Sequence, residues 1–387
     1  QTCALPILAL VAAVTWPGNL DELRDVVARV AADVASHQSN RDSWLRQLPV
    51  LWGSSPAVFK TIPTYTETEV RYPTENKFND ALDCAVLYYL TGDSKYAQCA
   101  ADVLHNAVKT LLPVAPSTSV GNGGWIFQTD FLKEARVTGT QLPIVYDFLY
   151  PYLQTNQVYD VQTAGMVNFS FPNAQSVFRT LYQLCRDHGD ADDNWSSLEG
   201  TCMLNNLLAL DNVAERTNAL NVYLYTGSSR QDSLDYDYNR DYNNPGDIWH
   251  ESFQYSSGVG QIRTFHMVLL ERYDPALNLF GVYSNFPASL PRIAQFRYPN
   301  PGMNISFGDG HRDDGISQPF FHYELVYQHA LARGYTNLAS LFGGLLNGGI
   351  NAGEYNRSSL NAYESLGTHS EPLELLWSAP SVTEPGV

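Results

Sequence analysis

Apolar residues recur at helical spacing along most of the chain, and turn residues separate the runs at short intervals. Leu23, Val26, Val27, Val30 and Val34 share one face of a helix over Leu20 to Ala35. Asn79 to Leu90 and Ser94 to Leu111 read as an antiparallel helix pair joined by Thr91-Gly92-Asp93, with Asp93 or Ser94 capping the second member. Similar units follow: Gly139 to Leu153 with Thr155 to Val167, Ala174 to Arg186 with Asn194 to Leu210, and Asn212 to Thr226. Gly258 to Glu271, Ser284 to Phe296 and Phe320 to Arg333 come next, and Leu338 to Phe342 closes the series. Strand-like alternation is confined to brief pieces such as Val70 to Tyr72 and Ile305 to Phe307. The polar stretch Gly227 to Ile248 reads as a long loop able to wall a cleft.

This pattern predicts a mainly α chain with little or no β-sheet. Repeated helix hairpins build either a solenoid or a closed α/α toroid, and the irregular repeat length here favours an incomplete toroid. The expected organisation has an apolar leader or cloning remnant over residues 1–16 and a toroidal catalytic domain over residues 17–378. Residues 379–387 form a tail, where a linker to a missing β-sandwich would start. Leu5 to Val14 is about as long as a signal-peptide core and too short to span a bilayer. A secreted or periplasmic protein without a membrane span is expected.

Composition then narrows the chemistry. Charged residues are only 16%, whereas the chain holds 24 Tyr, 17 Phe and 7 Trp, side chains whose flat apolar faces and polar tips suit sugar rings. A net charge of −17 excludes nucleic acid as a partner, because the long-range field repels phosphate. The same field opposes an anionic polysaccharide unless the cleft is locally basic. Screening limits that repulsion to about 8 Å at physiological salt, and Arg186, Arg263, Arg292, Arg297 and Arg312 are available to reverse it. The five cysteines show no zinc-ligand spacing. Cys84 and Cys99 flank the Thr-Gly-Asp turn at matching heights, as a disulfide or as two buried thiols, and Cys185 and Cys202 form a second such pair.

Two stretches concentrate polar groups beside aromatic surface: Asp192-Asp193-Asn194-Trp195-Ser196-Ser197-Leu198-Glu199-Gly200 and Trp249-His250-Glu251-Ser252-Phe253-Gln254-Tyr255. Asn194 reads as an amide donor to a substrate carboxylate or as a helix N-cap. His250 reads as a general base, a carboxylate-holding group or a structural histidine. Trp125, behind the glycine-rich Gly121 to Gly124, would make a sugar platform, with Gln128 bonding a hydroxyl. His311-Arg312 would form a basic pair at the cleft mouth or a surface turn.

Asp193-Asn194-Trp195 followed by Glu199-Gly200, Glu251-x-x-x-Tyr255 backed by Gly258 and Gly260, and Phe307-Gly308-Asp309-Gly310 after Pro301-Gly302 resemble the heparinase II/III-like family. They are more loosely similar to chondroitin and alginate lyases built on the same toroid. Asn79 to Leu82, Tyr88 to Asp93 and Tyr146-Asp147 are similar to that family's helical scaffold, so the resemblance covers residues 70 to 345. It implies β-elimination at a uronic acid of an anionic polysaccharide. Asn194 would neutralise the carboxylate, Tyr255 would take the C5 proton and return one to the leaving oxygen, and His250 would assist. Glu251 would orient an Arg or His, and Arg263 and Arg297 would bind acid groups or lower the tyrosine's pKa. Trp195 would contact substrate; many relatives carry histidine there, and if that histidine is their second acid/base, the role here falls to His250 or His311 or is absent. This mechanism requires no cofactor or catalytic metal and leaves room for a structural ion.

Two alternatives stand beside it. One is a glycoside hydrolase on the same scaffold, using carboxylates among Asp147, Asp193, Glu199 and Glu251. The other is a glycan-binding module that has lost the chemistry. Phosphate-loop, nucleophile-elbow and Cys/His patterns are missing from the sequence, so nucleotide, esterase and thiol chemistries are poorly supported.

Overall fold

A computed structural model describes residues 81–116, 139–191, 194–296 and 319–355, together with Leu373 and Val382. These residues are mainly helical, with one two-stranded sheet among them. They fall into two compact units that meet in sequence at Asp232 and Ser233. Among the described residues no helix is long and apolar enough to cross a membrane. The apolar leader, the helix over Leu20 to Ala35 and the strand-like pieces at Val70 and Ile305 lie outside the described residues.

The first unit opens with helical residues 81–91 and α1 (Ser94–Leu111). The turn between them follows the sequence reading. Gly92 takes the left-handed conformation at φ +69° and donates to the Tyr88 carbonyl at 2.8 Å, ending the first helix. Asp93 caps α1 by accepting from Lys95 N at 3.1 Å. Cys84 and Cys99 on either side, like Cys185 and Cys202, are buried thiols rather than disulfides.

Helix α2 (Gly139–Thr155) contains Pro143 and Pro151, each of which removes a backbone donor. The carbonyl orphaned by Pro143 is that of Gly139, and the Asn206 amide fills the gap from α4 (Asn194–Leu208) at 2.6 Å. Asn205 similarly donates to the Thr140 carbonyl at 3.3 Å. Side-chain amides thus do what a ladder bond would otherwise do at the buried start of α2. Below this contact Tyr146 sits among Phe169, Phe171 and Phe178, with ring centroids 5.1 to 6.3 Å away.

Thr155 to Val167, expected as a helix, is instead mostly an antiparallel hairpin of β1 (Gln157–Asp160) and β2 (Gly165–Asn168). An isolated hairpin is marginal in water, and its outer edge leaves backbone groups unpaired. Here α1 closes that edge with side chains at helical spacing. Gln98 donates to the Gln157 carbonyl at 3.2 Å, Asp102 accepts from Tyr159 N at 2.7 Å, and Asn106 both donates to the Tyr159 carbonyl at 2.7 Å and accepts from Val161 N at 3.1 Å. Lys109 and His105 complete the row on Asp160. Burial pushes the Asp160 carboxyl up, but Lys109, the Thr163 and Gln162 N–H groups and His105 outweigh it and hold the pKa at about 2.

Helix α3 (Phe171–His188) packs against α4, and α5 (Val213–Asn221) follows with Asn212 accepting from Glu215 N at 3.0 Å as its cap. A π-helical turn, Val222–Thr226, ends that segment.

In the second unit, the stretch expected as a loop holds a helix, α6 (Leu234–Asp241), capped by Ser233. Its few apolar residues hide it from periodicity. Helix α7 (Phe253–Tyr273) begins five residues before the expected Gly258, because Ser252 caps it by accepting from Tyr255 N at 3.1 Å. Ser284 to Phe296, expected as one helix, breaks into a short α-turn (Asn285–Ser289) and a 3-10 turn (Leu290–Gln295). Helix α8 (Phe320–Arg333) ends at Gly334 with φ +74°, and α9 (Thr336–Asn351) outruns the expected Leu338 to Phe342. One of its glycines is required by the α8 contact: a Cβ on Gly349 would collide with the Phe320 ring.

Candidate functional site

The first motif lies at the start of α4. Asn194 and Trp195 are half-buried in its first turn, at the positive end of a fifteen-residue helix where negative charge is favoured. Two groups fasten that turn. Glu199, one turn further in and 2% exposed, accepts from Asp190 N at 2.8 Å. Gln231 donates to the Ser196 carbonyl at 2.9 Å, and its neighbour Arg230 donates to the Gly189 carbonyl at 2.8 Å and pairs with Asp190 at 3.4 Å. Gly189 has no room for a side chain, since a Cβ would strike the Glu199 carboxylate. Gly189 and Asp190 are therefore held by Glu199 of α4 and by Arg230. Asp192 and Asp193 lie outside the described residues.

The second motif lies at the start of α7 and rests on a buried cation. Arg263, expected among the substrate-binding arginines, is 2% exposed and is turned inward. Its Nη1 donates to Asp241 at 2.8 Å and its Nη2 stands 3.3 Å from Asp237, two carboxylates four residues apart on one face of α6. Its guanidinium carbon lies 5.0 Å from the Trp249 ring and 5.6 Å from each of Tyr238 and Tyr242, in cation–π range of all three. Burial pushes the Asp241 carboxyl up, and the Arg240 and Arg263 guanidiniums overcome this and hold it below the usual carboxylate range. Burial raises the Tyr242 phenol to about 12. With its charge spent on two carboxylates, Arg263 is a structural cation rather than a substrate contact.

Trp249 carries this order outward. It is 1% exposed, its Nε1 donates to Glu251 at 2.6 Å, and its carbonyl accepts from Ser256 Oγ at 2.8 Å. His250, the residue between Trp249 and Glu251, is exposed, its ring 4.7 Å from the Trp249 ring. Tyr255, half-buried, follows Ser252 at the third position of α7. The partner of Glu251 is thus an indole rather than the Arg or His expected of it. A partly accessible imidazole and phenol stand five residues apart on a segment clamped by Trp249, Ser252 and Ser256, an arrangement able to exchange protons with a bound ligand.

Asn194 belongs to the first unit, whereas His250, Glu251 and Tyr255 belong to the second. Trp125, Gln128, Arg297, His311 and Arg312 lie outside the described residues. Among the described residues no group of three His, Cys, Asp or Glu side chains is placed to hold a metal ion. Deeper in the second unit, burial and then Arg263 push His266 down to about 3, and burial alone does the same to His322, so both are neutral at physiological pH. The residues that sequence reasoning missed are Asp237 and Asp241. Their signal was the Asp-x-x-x-Asp spacing inside a stretch read as a loop.

Residues 245–385 match the family model of the endo-acting ulvan lyase 2nd domain. That segment falls inside the second unit and contains Trp249 to Tyr255, α7, α8 and α9. An endo-acting ulvan lyase from Formosa agariphila is 25% identical over 386 residues, which is 97% of this chain and 44% of the relative. The chain therefore spans less than half the length of the curated relative it matches. These likenesses support a polysaccharide lyase family and do not extend to the heparinase II/III-like resemblance.

Proposed function

We propose that the protein is an exported polysaccharide lyase that cleaves a uronate-containing anionic glycan by β-elimination, with ulvan as the first polymer to test. The observation that carries this reading is the likeness to an endo-acting ulvan lyase over 97% of the chain. The family match also covers the segment that presents His250 and Tyr255.

The C5 proton of a uronate leaves only when the enolate charge developing on the adjacent carboxylate is stabilised. In this reading a neutral or cationic donor holds that carboxylate, and Asn194, at the positive end of α4, is the amide that the lyase resemblance names for the role. Tyr255 takes the C5 proton and returns one to the leaving glycosidic oxygen. A phenol has a reference pKa of about 10, so the tyrosine needs a partner that relays or offsets its charge. Arg263 is spent on Asp237 and Asp241, which leaves His250 as the group nearest in sequence. Trp195 offers a ring face to the sugar. The chemistry calls for no cofactor.

The hydrolase alternative is less well supported by the carboxylates. Asp147 and Glu199 are 1% and 2% exposed, Glu199 receives Asp190 N, and Glu251 receives the Trp249 indole. The test is an ultraviolet assay on ulvan, alginate, glucuronan, heparan and chondroitin. Elimination leaves a conjugated unsaturated uronate on each new non-reducing end. Reducing ends that accumulate without the chromophore would replace the lyase reading by the hydrolase, and retention on polymer gels with neither product would leave a binding module.

A further inference from the structure

In the second unit Arg292 is an exposed cation whose side-chain hydrogen bond, among the described residues, goes to a neutral group. Arg179, Arg186 and Arg230 are each partly exposed and each paired with a carboxylate, on Glu215, Asp187 and Asp190. Arg240 and Arg263 share Asp237 and Asp241. Arg292, in the turn Leu290–Gln295, is exposed, and among the described residues its side-chain hydrogen bond is to a neutral group, the Gln295 amide oxygen, at 2.9 Å from Nη1. Arg216 and Arg272 also donate to neutral oxygens, of Leu210 and Gln328, but both are half-buried, whereas Arg292 is exposed.

Its place is also built. Gly246, four residues before His250, has φ +92°, and a Cβ there would stand 2.5 Å from Arg292 Nε, 2.8 Å from Nη2 and 3.0 Å from Cζ. The loop therefore brings its bare backbone against the guanidinium, in a positive-φ conformation that favours glycine, and an added side chain would push the guanidinium aside. That loop is fixed in turn: Asp247 accepts from Asn244 N at 2.7 Å, and Asn285 donates to the Asn243 carbonyl at 2.9 Å. Gln295 and Gly246 hold Arg292 without neutralising it, and the segment that seats it runs directly into Trp249, His250 and Glu251.

We infer that Arg292 binds an acidic group of the polymer, a carboxylate or a sulfate ester, on a sugar flanking the one that reacts. The inference rests on the polysaccharide lyase reading for the identity of the polymer. The planar fork of an arginine matches such oxyanions through paired charge-assisted hydrogen bonds. An exposed cation on a strongly acidic protein also supplies the local positive field that an anionic chain needs for docking.

The test uses the full chain and reads binding separately from turnover. Retention on affinity gels containing ulvan or another polymer cleaved by the wild type is measured beside KM and kcat for R292A, R292K, G246A and R292A/G246A. Expected are a KM raised about 10-fold in R292A with kcat little changed, weaker gel retention, and an intermediate R292K. G246A should raise KM as well, because it displaces the guanidinium. In the double variant it should add nothing to the effect of R292A. Carboxyl-reduced and desulfated polymer then identify the group, since the wild type should lose its advantage over R292A on whichever sample lacks it. Wild-type retention and KM in R292A, or fully additive effects of the two substitutions, would overturn the inference. Retention that depends on Arg292 without any chromophore would keep it and remove the lyase reading. A wild type that neither retains nor cleaves any polymer overturns both.

Discussion

Replacing Arg263 by methionine removes a charge from the interior while roughly keeping its volume. It leaves Asp237 and Asp241 facing three aromatic rings. Removing one member of a buried ion pair costs about 3–5 kcal/mol, because the remaining charge stays desolvated. Arg240 stays 2.7 Å from Asp241 and 3.4 Å from Asp237, so part of the charge remains compensated and the expected loss is near ~3 kcal/mol, at the low end of that range. The pH dependence gives an internal control. Asp241 has a folded pKa below its unfolded one, so its contribution is present above the unfolded value of about 3.9 and is lost as pH falls through the folded value. Without Arg263 that contribution shrinks to what Arg240 supplies, and the gap between wild type and R263M should narrow as pH drops below about 4. Urea unfolding at several pH values, followed by tryptophan fluorescence, measures both quantities. A loss under about 1 kcal/mol at pH 7, or a gap that does not narrow in acid, would show that the cation does not hold this cluster together.

Acid lability of the second unit follows from His266 and His322. Both have folded pKa values of about 3, below the unfolded imidazole, so the unfolded chain binds their protons first and stability is full above about pH 6.5 and lost as pH falls towards 3. Each should contribute a slope of up to ~1.4 kcal/mol per pH unit, and a flat unfolding midpoint between pH 6 and 4 would contradict the assignment. In the first unit, D102A removes the acceptor for Tyr159 N and for Gln98 at a buried position and should cost about 1–3 kcal/mol. Amide exchange should accelerate over residues 157–168 before it does in α4, and uniform acceleration would argue against a local role for α1 in closing the hairpin edge.

What was legible in the sequence was whatever local chemistry decides. Gly92 and Asp93 announced their turn and cap because both act on neighbours within four residues. Helices α1, α2, α3, α4 and α8 followed from the apolar residues that recur at helical spacing in each of them. The hairpin at 157–168 did not follow, because the groups that make it a hairpin, Asp102 and Asn106, are more than 50 residues away. Helix α6 was hidden for a related reason. Much of what holds it is electrostatic, through Asp237 and Asp241 to a guanidinium on α7, and hydrophobic periodicity does not record that. Arg263 was recognised as a basic residue near the site, but nothing local disclosed that its counter-charges came from the protein. The start of α7 was placed late because Gly258 and Gly260 weaken the helical pattern, while the Ser252 cap and the Ser256 bond to Trp249 set the true boundary.

The central claim is that Tyr255 moves the proton in an elimination reaction. The most direct measurement is the rate of unsaturated-uronate absorbance on ulvan and the other uronate polymers for the wild type and Y255F, with gel retention measured on the same samples. The account predicts a rising chromophore for the wild type and a loss of about 100-fold or more in kcat for Y255F, with retention preserved. Near-normal turnover in Y255F, or new reducing ends without the chromophore in the wild type, would contradict it.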